Sequence, residues 1–447
     1  MSESTMSLEA SVEATLSALR GDHQRTAAQA FTIFRVPAYV RESSRNSYEP
    51  RMVSIGPYYH AGAALRAMED YKWRCLQDLL YRGAGAGVAV VSASTLVAEM
   101  RTLEAQARAC YSERPAVLAS DDFVRMLLLD GCFILELFFK WYTREDDVLC
   151  DVGWGLTLVV ADLLLMENQI PFFVLERLYG LVASAQGGSR ENLINHLLEY
   201  IDEEEPIRRP SAHFKFHHLL HLYYECYVPK RPATQGVTFV KQNVAIARLC
   251  ECFMTKRTPP CQLTIPRATE LLEAGVTFLR GSKAARDRYD VTFDRLRGVM
   301  KIPVIKIDDM KRPLLVNLIA FEQTRCGEVP GLLTSYVALM SSLIVTARDV
   351  ALLRRHRILE SLLADDEEAA RFFARLGDCG AMNYKDHAFA GLYEDVRRYC
   401  DSPWHRYRAT LRRDYFASPW SVISLVVAAL VVALTATQTY FTVFPAK

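Results

Sequence analysis

His213, His217, His221 and Glu225 stand four residues apart, the arrangement in this sequence closest to a metal-binding stripe. Zinc sites do take histidine pairs at i and i+4 on a helix, but HFKFHHLLH lacks the glutamate of HExxH. Four ligands down one straight helix cannot close a tetrahedron, so only neighbouring pairs can share an ion. Phe216, Leu219, Leu220 and Tyr223 form an apolar face beside the stripe, which then reads as the solvated flank of an amphipathic helix. Cys250, Cys252 and Cys261 contain no CxxC pair and make no zinc site. For nucleophilic chemistry, Cys110 or Cys132 can be paired with His60 or His218. Cys132, however, falls in the most apolar helix predicted for the body, where a thiol is typically inert. No GxSxG, P-loop or GxGxxG accompanies these residues. The sequence therefore assigns no catalytic, cofactor-binding or metal residue, and no cofactor is expected.

The string ENQIP, Glu167 to Pro171, has a backbone explanation. Pro171 cannot donate a helical hydrogen bond, so carbonyls freed near Glu167 need partners that the Asn168 or Gln169 amides supply. The functional version would have Glu167 and Asn168 line a pocket.

The elements carrying these residues are mostly helical. Helical spacing predicts helices over 65–81, 94–111, 121–141 and 156–178, the last interrupted at Glu167 to Pro171. Residues 121–141 are apolar on nearly every side and mark a central buried helix. Arg125, Asp130 and Glu136 argue against a membrane span there, because a charge at mid-bilayer costs about 2.5–3.5 kcal/mol. Further helices are predicted over 191–204, 214–227, 314–323, 334–346, 349–363, 366–376 and 384–400. Between Val276 and Asp309 the β-branched alternation of VTFLRG, YDVTFD and VMKIPVIKID predicts a small antiparallel β element. Residues 1–30 are a polar lead-in, and the proline-bearing 228–263 is a surface insertion.

The end of the chain has a different character. No Asp, Glu, Lys or Arg occurs from Tyr415 to Ala446. The apolar core of this run, Val422 to Leu434, is interrupted only by Ser424, and aromatics flank both ends. Residues 420–444 are long enough to read as one transmembrane helix, since about 20 residues cross a hydrocarbon layer of about 30 Å. The alternative is a buried C-terminal helix of a soluble core, to which Thr435, Thr437, Gln438 and Thr439 lend weight.

Composition bounds what the rest can be. With 447 residues, 51% of them hydrophobic, there is ample material for a large core. The 53 basic residues nearly cancel the 52 acidic ones, so no global field invites nucleic acid, and none is expected as a partner. The first 30 residues show no signal peptide. Arg406, Arg408, Arg412 and Arg413 precede the span and Lys447 alone follows it, which places the body in the cytosol by the positive-inside tendency. The 11 cysteines, odd in number, and the absence of any Asn-X-Ser/Thr acceptor agree with that side.

Several phrases resemble the plant family known as domain of unknown function 247: IFRVP (33–37), YEPRMVSIGPYYH (48–60), LEAQARACY (103–111), FVRMLLLDGCFILELF (123–138), DLLLMENQIPFFVLERL (162–178), PRATELLEAGVTF (266–278), NLIAFEQ (317–323) and YFASPWSVIS (415–424). They occur in order from about 31 to 444. Met166 departs from the family's usual leucine and Tyr59 from a common histidine. The resemblance implies a largely helical plant protein with one terminal span and no assigned catalysis. Some grass members are implicated as pollen-side determinants of self-incompatibility, and the Ala- and Arg-rich composition is in keeping with a grass protein.

The expectation is a mainly α protein: a helical body over 31–415, a small antiparallel β element and a transmembrane anchor at 420–444. Its expected role is that of a non-enzymatic recognition or signalling protein held at the plasma membrane, with a protein partner. The rival expectation is a membrane-tethered hydrolase or transferase using a Cys/His site.

Overall fold

In the computed structural model the longest apolar stretch of the body forms a 24-residue helix, Ser120–Thr143. The residues described are 31–60, 62–82, 91–113, 118–183, 188–204, 209–211, 213–229, 264–282, 288–325, 331–380, 387–403, 407 and 419–443, with isolated positions before residue 18. Most of the lead-in 1–30 and of the insertion 228–263 lies outside them. Helices are α1–α16 and strands β1–β5, numbered along the chain. Contacts divide the chain into two compact units.

The first unit comprises Met1–Pro229, Asp309–Glu328 and Asp378–Gly380. It contains α1 (Ala38–Ser43), α2 (Ala67–Tyr81), α3 (Ala93–Ala109), α4 (Ser120–Thr143) and α5 (Val148–Asp151). After these come α6 (Gly155–Leu163), α7 (Phe172–Ala183), α8 (Arg190–Glu204), α9 (Leu219–Tyr227) and α11 (Lys311–Thr324). Helix α4 is buried from Phe123 to Phe138 apart from Arg125, because α2, α3, α7 and α8 all pack on it. Gly131 permits the closest approach, since a Cβ there would lie 2.3 Å from Leu178 Cδ1. The acidic residues of α4 are paired rather than bare: Asp130 meets Lys72 of α2 at 2.7 Å, and Glu136 meets Arg82. Burying a charge is tolerable only with such a partner.

The second unit comprises Lys230–Asp308, Val329–Gly377 and Ala381–Lys447. After α10 (Ala268–Glu273) come β1 (Thr277–Arg280), β2 (Thr292–Asp294), β3 (Val299–Ile302) and β4 (Ile305–Ile307). These are followed by α12 (Leu332–Leu343), α13 (Ala347–Arg355), β5 (Leu359–Ser361), α14 (Asp366–Gly377), α15 (Ala390–Asp401) and α16 (Pro419–Val443).

The β element is mixed, which corrects the antiparallel expectation. Strand β1 runs parallel to β3, from Thr277 opposite Val299 to Arg280 opposite Ile302, and β2 alone is antiparallel to β3. Alternation reveals strands but not partners; the tight turn at Arg295–Gly298 makes β2 and β3 a hairpin, and β1 takes the free edge of β3. The helix expected over 349–363 is also shorter, ending at Arg355. Arg357 adopts φ 56°, which stops the helix, and the following β5 pairs in parallel with β4.

Among the described residues no single helix is long and apolar enough to cross a membrane. Within α16 the described apolar stretch is Val426–Thr439, and every side chain in it is exposed.

Candidate functional site

The ENQIP turn sits where α6 stops at Leu163 and α7 begins after Pro171. Proline at a helix start loses nothing, but the carbonyls just before it lack donors. Gln169 supplies them: its Nε2 donates to Leu163 O at 2.7 Å and Leu165 O at 2.8 Å. Asn168 Nδ2 donates to Asp162 O at 2.9 Å and Val53 O at 3.0 Å. The backbone explanation read from the sequence is thus present atom by atom.

The acceptors of the same turn reach outward to the segment 33–56, in which Pro37, Pro50 and Gly56 interrupt short apolar strings. Val36 N–H donates to Glu167 Oε1 at 2.7 Å, and Ile55 N–H donates to Asn168 Oδ1 at 2.7 Å. Three consecutive amides, Arg51, Met52 and Val53, donate to the Asp162 carboxylate at 2.6–3.1 Å. Gly56 N–H donates to Asp130 Oδ2 at 2.8 Å. Residues 33–56 therefore form a strap with few backbone partners of its own, held by buried side chains of α4, α6 and the ENQIP turn. Lys72, fully buried, donates to Ser54 O of the strap and to Asp130, each at 2.7 Å.

Glu167 is the centre of the charged part. Its Oε1 also accepts from Arg41 at 2.5 Å and its Oε2 from the Tyr59 hydroxyl at 2.7 Å. Arg35 Nε lies 3.8 Å away, and the Arg35 guanidinium sits 5.0 Å from the Tyr58 ring centre. Burial, followed by the adjacent Glu167 carboxylate, drives the Tyr59 phenol well above its ordinary range. Burial likewise raises Asp162 above the ordinary carboxylate range, against the lowering effect of its three amides. Each of these carboxylates already accepts from several donors, so the arrangement grips backbone. It offers no unoccupied base to a substrate.

The histidine stripe is placed differently from expectation. Helix α9 starts at Leu219, so His213 and His217 precede it and only His221 and Glu225 share it. His218 is the N-cap: its Nδ1 accepts from His221 N–H at 3.3 Å, and its Nε2 faces Thr32 O at 3.1 Å. Accepting at Nδ1 puts the ring proton on Nε2, which donates to Thr32. Burial pushes His218 well below its usual range, so the ring is neutral. His221 and Glu225 are 2% and 3% exposed, which corrects the solvated-flank reading. Arg325, which caps the C-terminus of α11, pairs with Glu225 at 2.9 Å, and the Tyr224 hydroxyl donates to Glu322 at 2.6 Å. Among the described residues no group of three or more His, Cys, Asp or Glu is placed to hold a metal ion.

The thiols proposed for catalysis are protected by the same burial. Cys132 is fully buried and burial pushes its thiol far up; its neighbour Cys75 is pushed up to about 12. Cys110 donates to Gln106 O at 3.4 Å, and burial raises it too. Cys250, Cys252 and Cys261 lie outside the described residues.

Sequence reasoning missed Arg35, Arg41, Tyr59 and the Lys72–Asp130 pair as members of one network. The available signal was an acid inside an otherwise apolar helix, as Asp130 and Asp162 are, since such a residue must find donors.

A family model described as a plant protein of unknown function, DUF247, matches residues 33–434. The UPF0481 protein At3g47200 of Arabidopsis thaliana is 28% identical over 419 residues, covering 91% of this chain and 85% of that protein. The putative UPF0481 protein At3g02645 of the same plant is 25% identical over 489 residues, covering 92% and 90%. No solved structure matches.

Proposed function

The chain belongs to the DUF247 family of plant proteins of unknown function, and on that premise we propose that it is a membrane-anchored, non-enzymatic recognition or signalling protein. The observation that carries this reading is α16. From Val426 to Thr439 no described side chain is covered, and Val432 and Leu434 are each 68% exposed. Burying one such side chain is worth about 1.5–3 kcal/mol, so this helix has strong reason to leave water. The whole helix extends about 37 Å over its 25 residues, of which Val426–Thr439 is the described apolar stretch, against about 30 Å of hydrocarbon. Thr435, Thr437 and Thr439 return their hydroxyls to Val431, Ala433 and Thr435 carbonyls at 2.7–2.8 Å, which satisfies them without water.

The body is the recognition part. In this reading the strap network holds the body together, the insertion 228–263 is the variable part that a partner reads, and the flanking arginines favour the cytosolic face of the plasma membrane. A pollen-side role in self-incompatibility is the specific form of this reading. Exchange of residues 228–263 between alleles tests it: partner choice is expected to change while thermal stability of the body does not. Recovery of the intact chain in the detergent-free supernatant after cell lysis overturns the anchored reading.

A further inference from the structure

The chain is nearly neutral, yet between Thr277 and Lys306 it carries eight Arg or Lys against three Asp and no Glu. This stretch contains strands β1 to β3 and most of β4, and its most prominent feature is the β2–β3 turn. There Leu296, 69% exposed, is flanked by Arg295 and by Arg297, whose side chain is 83% exposed. The outer row of the sheet beside it joins Leu279, Lys301 and Thr292 in register, with all three exposed.

The turn is held in shape. Asp294 Oδ1 accepts from Leu296 N–H at 3.0 Å and Arg297 N–H at 3.1 Å. Gly298 has φ 66°, and a Cβ there would lie 2.3 Å from the Tyr399 hydroxyl oxygen. Tyr399 of α15 also meets the Phe293 ring edge-on at 5.6 Å and donates to Gly275 O at 3.2 Å. The base of the turn is thus clamped to α15.

We propose that the β2–β3 turn, with Lys301 beside it, docks onto an anionic lipid surface. An exposed leucine between two arginines matches the interface of a bilayer, where the apolar side chain enters the acyl boundary and the cations meet phosphate and carboxylate headgroups. The proposal rests on the anchored reading of α16, and it names lipid as what faces this part of the second unit. Tethering by the anchor raises the local concentration of lipid around the body, so a contact too weak to recruit the protein alone suffices to orient it.

The test uses the full chain reconstituted into vesicles of phosphatidylcholine alone or with phosphatidylserine added, read by hydrogen exchange of the peptide spanning Phe293 to Val299. Phosphatidylserine is expected to slow exchange there at least about fivefold, roughly the factor one basic residue is worth beside an anionic leaflet. The effect is expected to vanish at high salt and in R295E/R297E and K301E, and to survive in R295K/R297K, while exchange in α4 stays the same in all. Equal exchange in the two vesicle types, with the protein floating with both, overturns the docking and leaves the anchor standing. Failure to float with either overturns both. Protection by a single-stranded RNA but not by phosphatidylserine overturns the lipid assignment.

Discussion

Glu167 carries a charge that Arg41, Tyr59 and the Val36 amide all depend on. Glu167→Gln keeps the shape and removes the charge, which leaves the Arg41 guanidinium without its counterion. Breaking a buried pair costs about 3–5 kcal/mol; with the Arg41 side chain 21% exposed, about 2–3 kcal/mol is expected after screening. The urea midpoint should fall with an unchanged m value, and R41M added to E167Q should restore part of the loss. His218 makes a pH prediction. Its folded-state pKa lies below the unfolded value because of burial, so the unfolded chain binds more protons and stability rises with pH. Stability from this group is full above the ordinary histidine pKa of about 6.5 and is lost as pH falls below it. The titratable groups that act on the ring are His221 and His217, and both push it in the same direction as burial. H218N, which keeps a cap acceptor, should flatten the slope of stability against pH between about 7 and 5.

At the scale of elements, the strap beyond the short helix α1 has no helix or strand over residues 48–56, so the conformation of that part rests on the groups beneath. Gly56 is the tightest point: its φ is 74°, and a Cβ would lie 2.3 Å from Gln169 O. Gly56→Ala therefore strains the strap and the ENQIP turn together, and a loss of at least about 2–3 kcal/mol is expected in thermal melts. The sequence made the elements themselves legible. Helices α2, α3 and α4 and the break between α6 and α7 follow from spacing and from Pro171. Misplacements came where local signals conflict with tertiary demands. Residues 214–218 have helical periodicity, yet Phe172 N–H donates to His217 O at 2.8 Å, and that bond holds the chain before α9 out of helix. Residues 359–361 read from the sequence as the continuation of the helix begun at 349, but β4 offers a parallel edge that competes with it.

At the scale of the whole molecule, the question is what covers α16. Two arginines at Val427 and Val431 would cost about 2.5–3.5 kcal/mol each at mid-bilayer, and in water they would cost almost nothing. V427R/V431R is therefore expected to move the chain from the alkali-resistant membrane pellet to the supernatant, with the melting of the body unchanged. Unchanged fractionation would show that the helix is covered by something other than lipid.

From composition and spacing alone come the mainly helical class, the apolar terminal run, the break at Pro171 and the family phrases, because each depends on residues close together in the chain. The strap does not, since Val36 and Glu167 are 131 residues apart and Gly56 and Asp130 are 74 apart, with no local signature. Only the tertiary structure decided that the charged residues inside apolar helices hold a backbone segment. A buried carboxylate needs donors, and the nearest unpaired amides belonged to a distant stretch of chain.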